Sequence, residues 1–202
     1  MSVPPSLVAV KTQVYGWPVP SKKALTKDDW LNAAMELLRT DGVGGVRVLT
    51  LAQKLRVSRV SFYWHFEDRQ DLLTSMLDWW DRRMTDTVIE LGEGGRASPE
   101  RRLLAAAEHI LRADLTRYDA AVRSWALGDN KAKNALRRVN RKRLHYVSAL
   151  FEEAGFAPAE ARARGDLLAI YLMSEGAIHM DETLDSRLRL VRRQVRSLIS
   201  FP

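Results

Sequence analysis

Apolar residues recur every three or four positions along most of this chain, which is the spacing of one face of an α-helix. The clearest example follows Asp68, a residue suited to capping a helix, and consists of Leu73, Leu77, Trp80, Met84, Val88 and Leu91. We predict one long helix from Asp68 to Leu91. Sustained alternation of polar and apolar residues, the signature of a half-buried strand, is nearly absent, so the sequence predicts an all-α fold.

Caps and glycines divide the remaining sequence into further helices. Thr26 is suited to cap a first helix that ends at Gly42, and Ser98 is a cap followed by proline at the first helical position. Between the long helix and this second cap, the glycines at 92, 94 and 95 indicate a hinge. We predict the later helices at about 99–116, 118–127, 131–154, 158–180 and 184–199.

Residues 51–66, with the sequence LAQKLRVSRVSFYWHF, predict two short helices joined by a tight corner. Val57 is expected to fill the corner, and Ser58 is expected to cap the second helix by accepting a backbone N–H. The second helix would bury Val60 or Phe62 together with Phe66, which leaves its hydrogen-bonding side chains able to face a phosphate backbone or a groove floor. This pattern is typical of a helix-turn-helix that reads DNA.

The composition favours a globular protein with a polyanionic partner. Lysine and arginine number 32 against 25 aspartate and glutamate, and the resulting net charge of +7 is spread along the chain. No cysteine is present, which excludes disulfides, thiolate nucleophiles and cysteine-based metal sites. Residues 1–24 contain several prolines and lack the apolar run of a secretory signal, and no window of about 18 apolar residues predicts a membrane span. We therefore expect a flexible tail at 1–24 and a cytoplasmic protein.

Three motifs, in order and spacing, resemble the DNA-binding domain of the tetracycline-repressor (TetR) family of transcriptional regulators: LLRTDG at 37–42, LAQKL at 51–55, and VS followed by FYWHF within 57–66. Leu72 and Leu73 then open the long helix. The resemblance implies a homodimer whose three N-terminal helices bind double-stranded DNA and whose C-terminal bundle binds a small-molecule effector and supplies the dimer interface. On this basis we assign a helix-turn-helix domain to 25–70 and an effector-binding and dimerisation domain to 71–202.

Two positions depart from the family pattern. Arg56 stands at the corner where glycine is frequent, so we expect either a positive φ at this arginine or a slightly different corner. Leu49 stands where the founding repressor carries a base-reading arginine. Nothing in the sequence identifies the operator or the effector, or tells whether the effector releases or promotes DNA binding.

The residues expected to contact DNA flank and form the second helix of this motif. The guanidinium of Arg59 suits guanine acceptors or phosphates, although a solvated charge is the alternative. Tyr63 and His65 match family positions that bond phosphates, and Arg69 resembles a phosphate clamp. Trp64 is expected to point outward because Phe62 and Phe66 occupy the inward side. The full predicted set is Arg47, Thr50, Ser58, Arg59, Ser61, Tyr63, Trp64, His65 and Arg69.

The resemblance also implies an effector cavity in the C-terminal bundle, lined by some of its large apolar residues. The residues expected nearest to it are Trp80, Met84, His109, Trp125, Tyr146 and Met173. The histidines at 109, 145 and 179 lack the spacing of a helical metal site, so neither a metal nor a cofactor is predicted. The last two predicted helices carry more apolar positions than one monomer buries, which favours a two-fold four-helix interface.

Other functions are compatible with parts of the sequence. A small-molecule-binding bundle with a vestigial helix-turn-helix would explain Arg56 and Leu49, and a nonspecific DNA-binding protein would also suit the positive charge. An enzyme is disfavoured because no nucleophile elbow, phosphate-binding glycine loop or paired-carboxylate motif is present. The basic run from Lys131 to Arg143 could be a second DNA surface, but a solvated helix face is its more usual meaning.

Overall fold

The computed structural model describes residues 25–93 and 97–200, and the predicted tail at 1–24 lies outside them. The predicted all-α fold is confirmed, because no strand occurs in these two ranges. The helices are α1 (Lys27–Gly45), α2 (Val48–Leu55), α3 (Val60–Tyr63), α4 (Arg69–Asp81), α5 (Thr87–Glu93), α6 (Pro99–Arg112), α7 (Asp119–Ala126), α8 (Asn130–Glu153), α9 (Pro158–Ile178) and α10 (Leu184–Ser200), with a wider π-helical turn at Arg82–Asp86.

The predicted caps are present at three helix starts. The Thr26 hydroxyl accepts the Asp29 backbone N–H at 3.2 Å while the Asp29 carboxylate accepts the Thr26 N–H at 2.8 Å, which is a reciprocal capping box. Asp68 caps α4 by accepting the Asp71 N–H at 2.8 Å, and Ser98 caps α6. At the other end of α1, Gly42 leaves helical geometry with φ 68° and ψ −179°, so the regular helix ends where the sequence predicts and a further turn follows.

The predicted continuous helix from Asp68 to Leu91 is wrong in its middle. Residues Arg82–Asp86 form a π-helical turn between α4 and α5. The wider turn lies where Asp81, Thr85 and Asp86 all bond to α8: Lys142 Nζ donates to Asp81 and to Asp86, each at 2.9 Å, and Arg143 Nε donates to the Thr85 hydroxyl at 3.0 Å. Helices widen in this way frequently at functional sites.

The helix predicted at 99–116 is also shorter in the structure. It ends at Arg112, because Ala113 leaves helical geometry and Asp114 adopts a left-handed conformation with φ 48°. A loop of turns then leads to α7 at Asp119. Leu115 and Tyr118, which this loop carries, are buried in the core.

Two hydrophobic clusters hold the described residues together. The first extends without a break from α1, α2 and α3 through α4 to α7 and α8, and includes Trp30, Phe62 and Trp80. The second joins α6, α8, α9 and α10 around Phe151 and Val191. The first cluster therefore crosses the boundary predicted between residues 70 and 71, so the helix-turn-helix is packed directly on the bundle rather than carried on a free linker.

Among the described residues, no helix has both the length and the apolar character that a membrane crossing requires.

Candidate nucleic-acid interface and effector cavity

The corner between α2 and α3 is formed by Arg56 in the left-handed conformation, with φ 56° and ψ 44°. Its N–H donates to the Gln53 carbonyl at 3.1 Å, and the Val57 N–H donates to the Ala52 carbonyl at 3.0 Å. Of the two geometries expected at this departure from the family pattern, the positive φ is the one observed. A side chain in this conformation costs about 1–2 kcal/mol, which the hydrogen bonds and the partly buried Val57 offset.

The packing of α3 decides which of its side chains face outward. Phe62 is fully buried, with its ring edge-on to Trp30 at 5.6 Å and stacked on Phe66 at 5.1 Å between centroids. Val60 is 62% exposed, so Phe62 is the inward residue of the two that the sequence left open. Tyr63 is 60% and Trp64 79% exposed, and both rings therefore lie on the outer side of the motif.

The expected capping role of Ser58 is not observed. The α3 capping position falls on Arg59, which has helical dihedral angles and makes no side-chain cap. The Ser58 hydroxyl instead lies 3.4 Å from the Ser61 hydroxyl, and the Ser58 carbonyl accepts the Ser61 N–H at 3.2 Å. Both hydroxyls lie near the start of α3, on the side predicted to face DNA.

The remaining predicted contact residues border the same motif. Arg47 and Arg59 are exposed, and Thr50 and His65 are partly exposed. The chain contains no aspartate or glutamate from Arg47 to Phe66, so every formal charge in this stretch is positive. A surface of this composition attracts phosphates, and its hydroxyl and indole groups can bond them.

Arg69 has a structural role that the sequence does not predict. Its Nε donates to the Val46 carbonyl at 2.7 Å and its Nη2 donates to the Val43 carbonyl at 2.6 Å. These bonds tie the start of α4 to the segment that joins α1 and α2. A phosphate contact from Arg69 stays a prediction, and it would have to use the rest of the guanidinium.

Sequence reasoning missed two apolar members of this surface, Leu49 and Val60, which are both more than half exposed. The sequence identifies Leu49 only as the loss of an arginine, and it offers Val60 only as a candidate for burial. Exposed aliphatic groups on a reading surface can contact the methyl group of thymine. The exposure of Val60 follows from the burial of Phe62 on the opposite side of α3, which the spacing of apolar residues within a helix of four residues cannot reveal.

The bundle contains a cavity of about 60 Å³ between the π-helical turn, α5, α6, α8 and α9. Of the residues predicted to be nearest to an effector, Met84, Tyr146 and Met173 line this cavity. The other three do not. Trp80 is buried beside α7, where its indole N–H donates to Asp119 at 3.0 Å, Trp125 lines a groove between α7 and the end of α1, and His109 is not among the lining residues.

Of the glycines in the predicted hinge, those at 94 and 95 lie outside the described residues, and Gly92 packs closely against Tyr146. Gly92 belongs to the last turn of α5, and a Cβ built on it would lie 1.7 Å from the Tyr146 hydroxyl oxygen. Only glycine permits this approach. Tyr146 thus links one wall of the cavity to the C-terminal end of α5.

Glu36 of α1 connects the helix-turn-helix domain with the bundle through a hydrogen bond, with Arg117 lying 3.9 Å from the same carboxylate. The Tyr118 hydroxyl donates to the Glu36 carboxylate at 2.6 Å. This bond, supported by Arg39, lowers the pKa of Glu36 despite partial burial. Burial, with a contribution from the same bond, raises the pKa of Tyr118 to about 12.

The segment that contains the helix-turn-helix is similar to known proteins. Residues 31–76 match the family model described as bacterial regulatory proteins, tetR family. A transcriptional regulator of the HTH type from Saccharopolyspora erythraea is 40% identical over 58 residues, which is 29% of this chain and 25% of that protein. The class D tetracycline repressor protein of Escherichia coli is 35% identical over 52 residues, 26% of this chain and 24% of the repressor. The matched segment thus spans about a quarter of each curated relative.

Solved structures resemble the fold over most of the chain. A transcriptional regulator from Rhodococcus sp. Rha1 has a TM-score of 0.69 at 17% identity and covers 87% of this chain and 96% of its own. A TetR-family regulator from Streptomyces coelicolor has a TM-score of 0.69 at 18% identity, covering 84% and 86%. At these sequence identities the solved structures show a shared fold only. The match in sequence to the family model lies in the N-terminal segment. Residues 31–76 thus match the TetR family by sequence, and the described residues share the fold of these solved regulators.

Proposed function

We propose that this protein regulates transcription in the cytoplasm as a homodimer that binds a pseudo-palindromic operator and responds to a small-molecule effector, most simply as a repressor. The observation that carries the DNA-binding part is the outward position of Tyr63 and Trp64 at the end of α3, which follows from the burial of Phe62 on the inward side. An aromatic pair this exposed has no partner within the described residues of its own protomer that would bury it. A DNA backbone would provide one.

The homodimer is supported by an apolar stripe on α9. Leu167, Ile170 and Ile178 are each more than half exposed, and Ala163 is exposed on the same side, at the spacing of one helix face. A two-fold contact through this stripe would bury it and would present two α3 helices. To enter successive major grooves, the two helices need a separation of about 34–36 Å.

The effector response is proposed to pass from the cavity to α3 along two connections. One is the α4 and α5 rod, whose π-helical turn lines the cavity through Met84 and Thr85. The other is the Tyr118–Glu36 hydrogen bond between the bundle and α1. An effector that fits the cavity better in one arrangement of these elements would change operator affinity, typically by about 1–3 kcal/mol of coupling.

The DNA-binding proposal is tested by selecting bound sequences from a random duplex library and measuring their affinity by fluorescence anisotropy. We expect the selection to enrich a palindrome, and we expect the protein to prefer it over random duplex even as salt is raised. The double variant Tyr63→Ala, Trp64→Ala should bind the selected duplex with lower affinity. The matched control is Leu127→Ala, another highly exposed apolar residue away from α3. A vestigial motif would enrich no sequence, and a nonspecific binder would show equal affinity for all duplexes that falls steeply with salt.

Acid should weaken the contact between α1 and the bundle. Because the pKa of Glu36 is lower in the folded state, the stability it contributes is fully present above its unfolded-state pKa of about 4.3 and is lost as pH falls through the lower folded-state value. We expect the free energy of unfolding of the native protein to exceed that of Glu36→Gln at pH 7, and the difference to shrink on acidification. Urea denaturation at both pH values measures it.

Tyr118→Phe provides the comparison for this prediction, since it removes the hydroxyl that is the largest cause of the shift. Glu36→Gln in that background should alter the pH dependence less than it does in the native protein. An equal change in both backgrounds would assign the acid sensitivity to another contact of Glu36, such as the ion pair with Arg39 at 3.0 Å.

A further inference from the structure

The cavity in the bundle is bounded almost entirely by hydrocarbon. Its wall includes Met84, Val88, Leu103, Ala107, Ile110 and Leu172. Polar side chains reach it from four lining residues, which are Thr85, Thr116, Arg143 and Tyr146. Three of these are neutral hydroxyl groups, so Arg143 is the one formal charge among the lining residues.

The charge of Arg143 is already compensated by a buried carboxylate. Its Nη1 donates to Asp119 Oδ2 at 2.6 Å and its Nη2 donates to Asp119 Oδ1 at 3.3 Å, while Nε donates to the Thr85 hydroxyl at 3.0 Å. The guanidinium also lies over the Trp80 ring, 5.4 Å from its centroid. Asp119 is 1% exposed, so the pair forms a neutral unit behind the cavity wall.

We propose that the effector of this protein is an uncharged and mainly apolar molecule, and that the Arg143–Asp119 pair excludes charged ones. The inference rests on the proposed effector response and states which chemistry that same cavity accepts. An ionised carboxylate or ammonium would lose its hydration in the cavity and find no opposite charge free to replace it. The hydroxyls of Thr85 and Thr116 can hydrogen-bond an alcohol or a carbonyl, but they do not neutralise an ion.

The volume of the cavity determines how large a test ligand can be. A cavity of about 60 Å³ is narrow, so a probe must be slender. A slender chain of about six carbons fills such a space. The compounds 1-hexanol, hexanoate and hexylammonium share this chain and differ at the terminal group, neutral in the first and oppositely charged in the other two.

The test measures binding of these three compounds to the full chain at pH 7.5 by isothermal titration calorimetry. We expect saturable binding of 1-hexanol, and at least tenfold weaker binding of hexanoate and hexylammonium. Ala107→Leu, which adds bulk at a buried lining position, should weaken 1-hexanol binding at least tenfold, whereas Ala105→Leu on the exposed side of the same helix should not. Hexanoate or hexylammonium binding as tightly as 1-hexanol, no saturable binding of 1-hexanol, or equal effects of the two leucine variants would overturn the proposal.

A second variant tests the role of the buried pair directly. Asp119→Asn keeps an oxygen for the Trp80 indole N–H and removes the charge that neutralises Arg143. We expect hexanoate affinity to rise at least tenfold in this variant while 1-hexanol affinity changes little. An unchanged preference for 1-hexanol in folded Asp119→Asn would show that Arg143 does not set the charge selectivity. If that variant does not fold, the ligand series on the native chain still decides the proposal.

These outcomes are separate from those that test the proposed function. Binding of 1-hexanol is measured without DNA, so the charge selectivity of the cavity can fail while operator binding holds. Conversely, loss of sequence-specific DNA binding would overturn the regulatory proposal and leave the ligand preference of the cavity intact.

Discussion

Leu167→Glu is expected to convert the protein from a dimer to a monomer and to lower operator affinity by about two to four orders of magnitude. Leu167 is 60% exposed in the protomer and lies on the α9 stripe with Ile170. A glutamate here would be buried against its two-fold mate, and the desolvation of two like charges opposes association. A monomer engages one half-site, so it loses the roughly 10²- to 10⁴-fold gain in affinity that comes from binding two linked half-sites at once.

Sedimentation velocity gives the mass in solution, and anisotropy with the selected operator gives the affinity. The matched control is Leu127→Glu, because Leu127 is 90% exposed and lies at the end of α7, off the α9 stripe. Both variants introduce the same charge on an exposed leucine. A Leu167→Glu protein that sediments as a dimer would show that α9 is not the interface, whatever its effect on DNA binding.

Most helix starts could be predicted from the sequence because capping is a local interaction. The bonds that Thr26, Asp68 and Ser98 make reach three residues along the chain, within the range that a sequence motif encodes. The left-handed Arg56 was one of two expected geometries for a similar reason, since the helix-turn-helix pattern fixes where the chain must turn. The outward side of α3 followed once two phenylalanines were assigned to the inward side.

The features that could not be predicted depend on residues distant in sequence. The π-helical turn at Arg82–Asp86 lies against α8, and its partners Lys142 and Arg143 are more than fifty residues away. The same contacts explain why the basic run on α8 is only in part a solvated face: Arg138, Lys142 and Arg143 bond to Asp81, Asp86 and Asp119. Neither the spacing of apolar residues nor the charge of a single helix contains this information.

The lining of the cavity was predicted less well than the outward side of α3, for the same physical reason. Large side chains were chosen because they suit an apolar cavity, but Trp80 and Trp125 pack elsewhere against α7 and the end of α1. The residues that leave the space open include small ones such as Ala107 and Ala169. A void arises where facing side chains are too small to meet, and that depends on several helices at once.

The largest effect on stability is expected from Asp119→Ala, which should lower the free energy of unfolding by about 3–5 kcal/mol. Asp119 accepts hydrogen bonds from both terminal nitrogens of Arg143 and from the Trp80 indole, and its side chain is almost fully buried. Removing it leaves a guanidinium without a counter-charge and an indole N–H without an acceptor. Urea denaturation followed by circular dichroism measures the loss.

Asp78→Ala is the control, because Asp78 is a largely exposed carboxylate whose nearest contact with Arg138 is 3.7 Å. It should cost less than about 1 kcal/mol, as solvent already screens that pair. The double variant Arg143→Met, Asp119→Asn should be less destabilised than Asp119→Ala, because it also removes the guanidinium that Asp119→Ala leaves without a counter-charge. If the double variant loses as much stability as Asp119→Ala, the lost hydrogen bond to Trp80 or the altered packing, and not the unpaired arginine, would account for the effect.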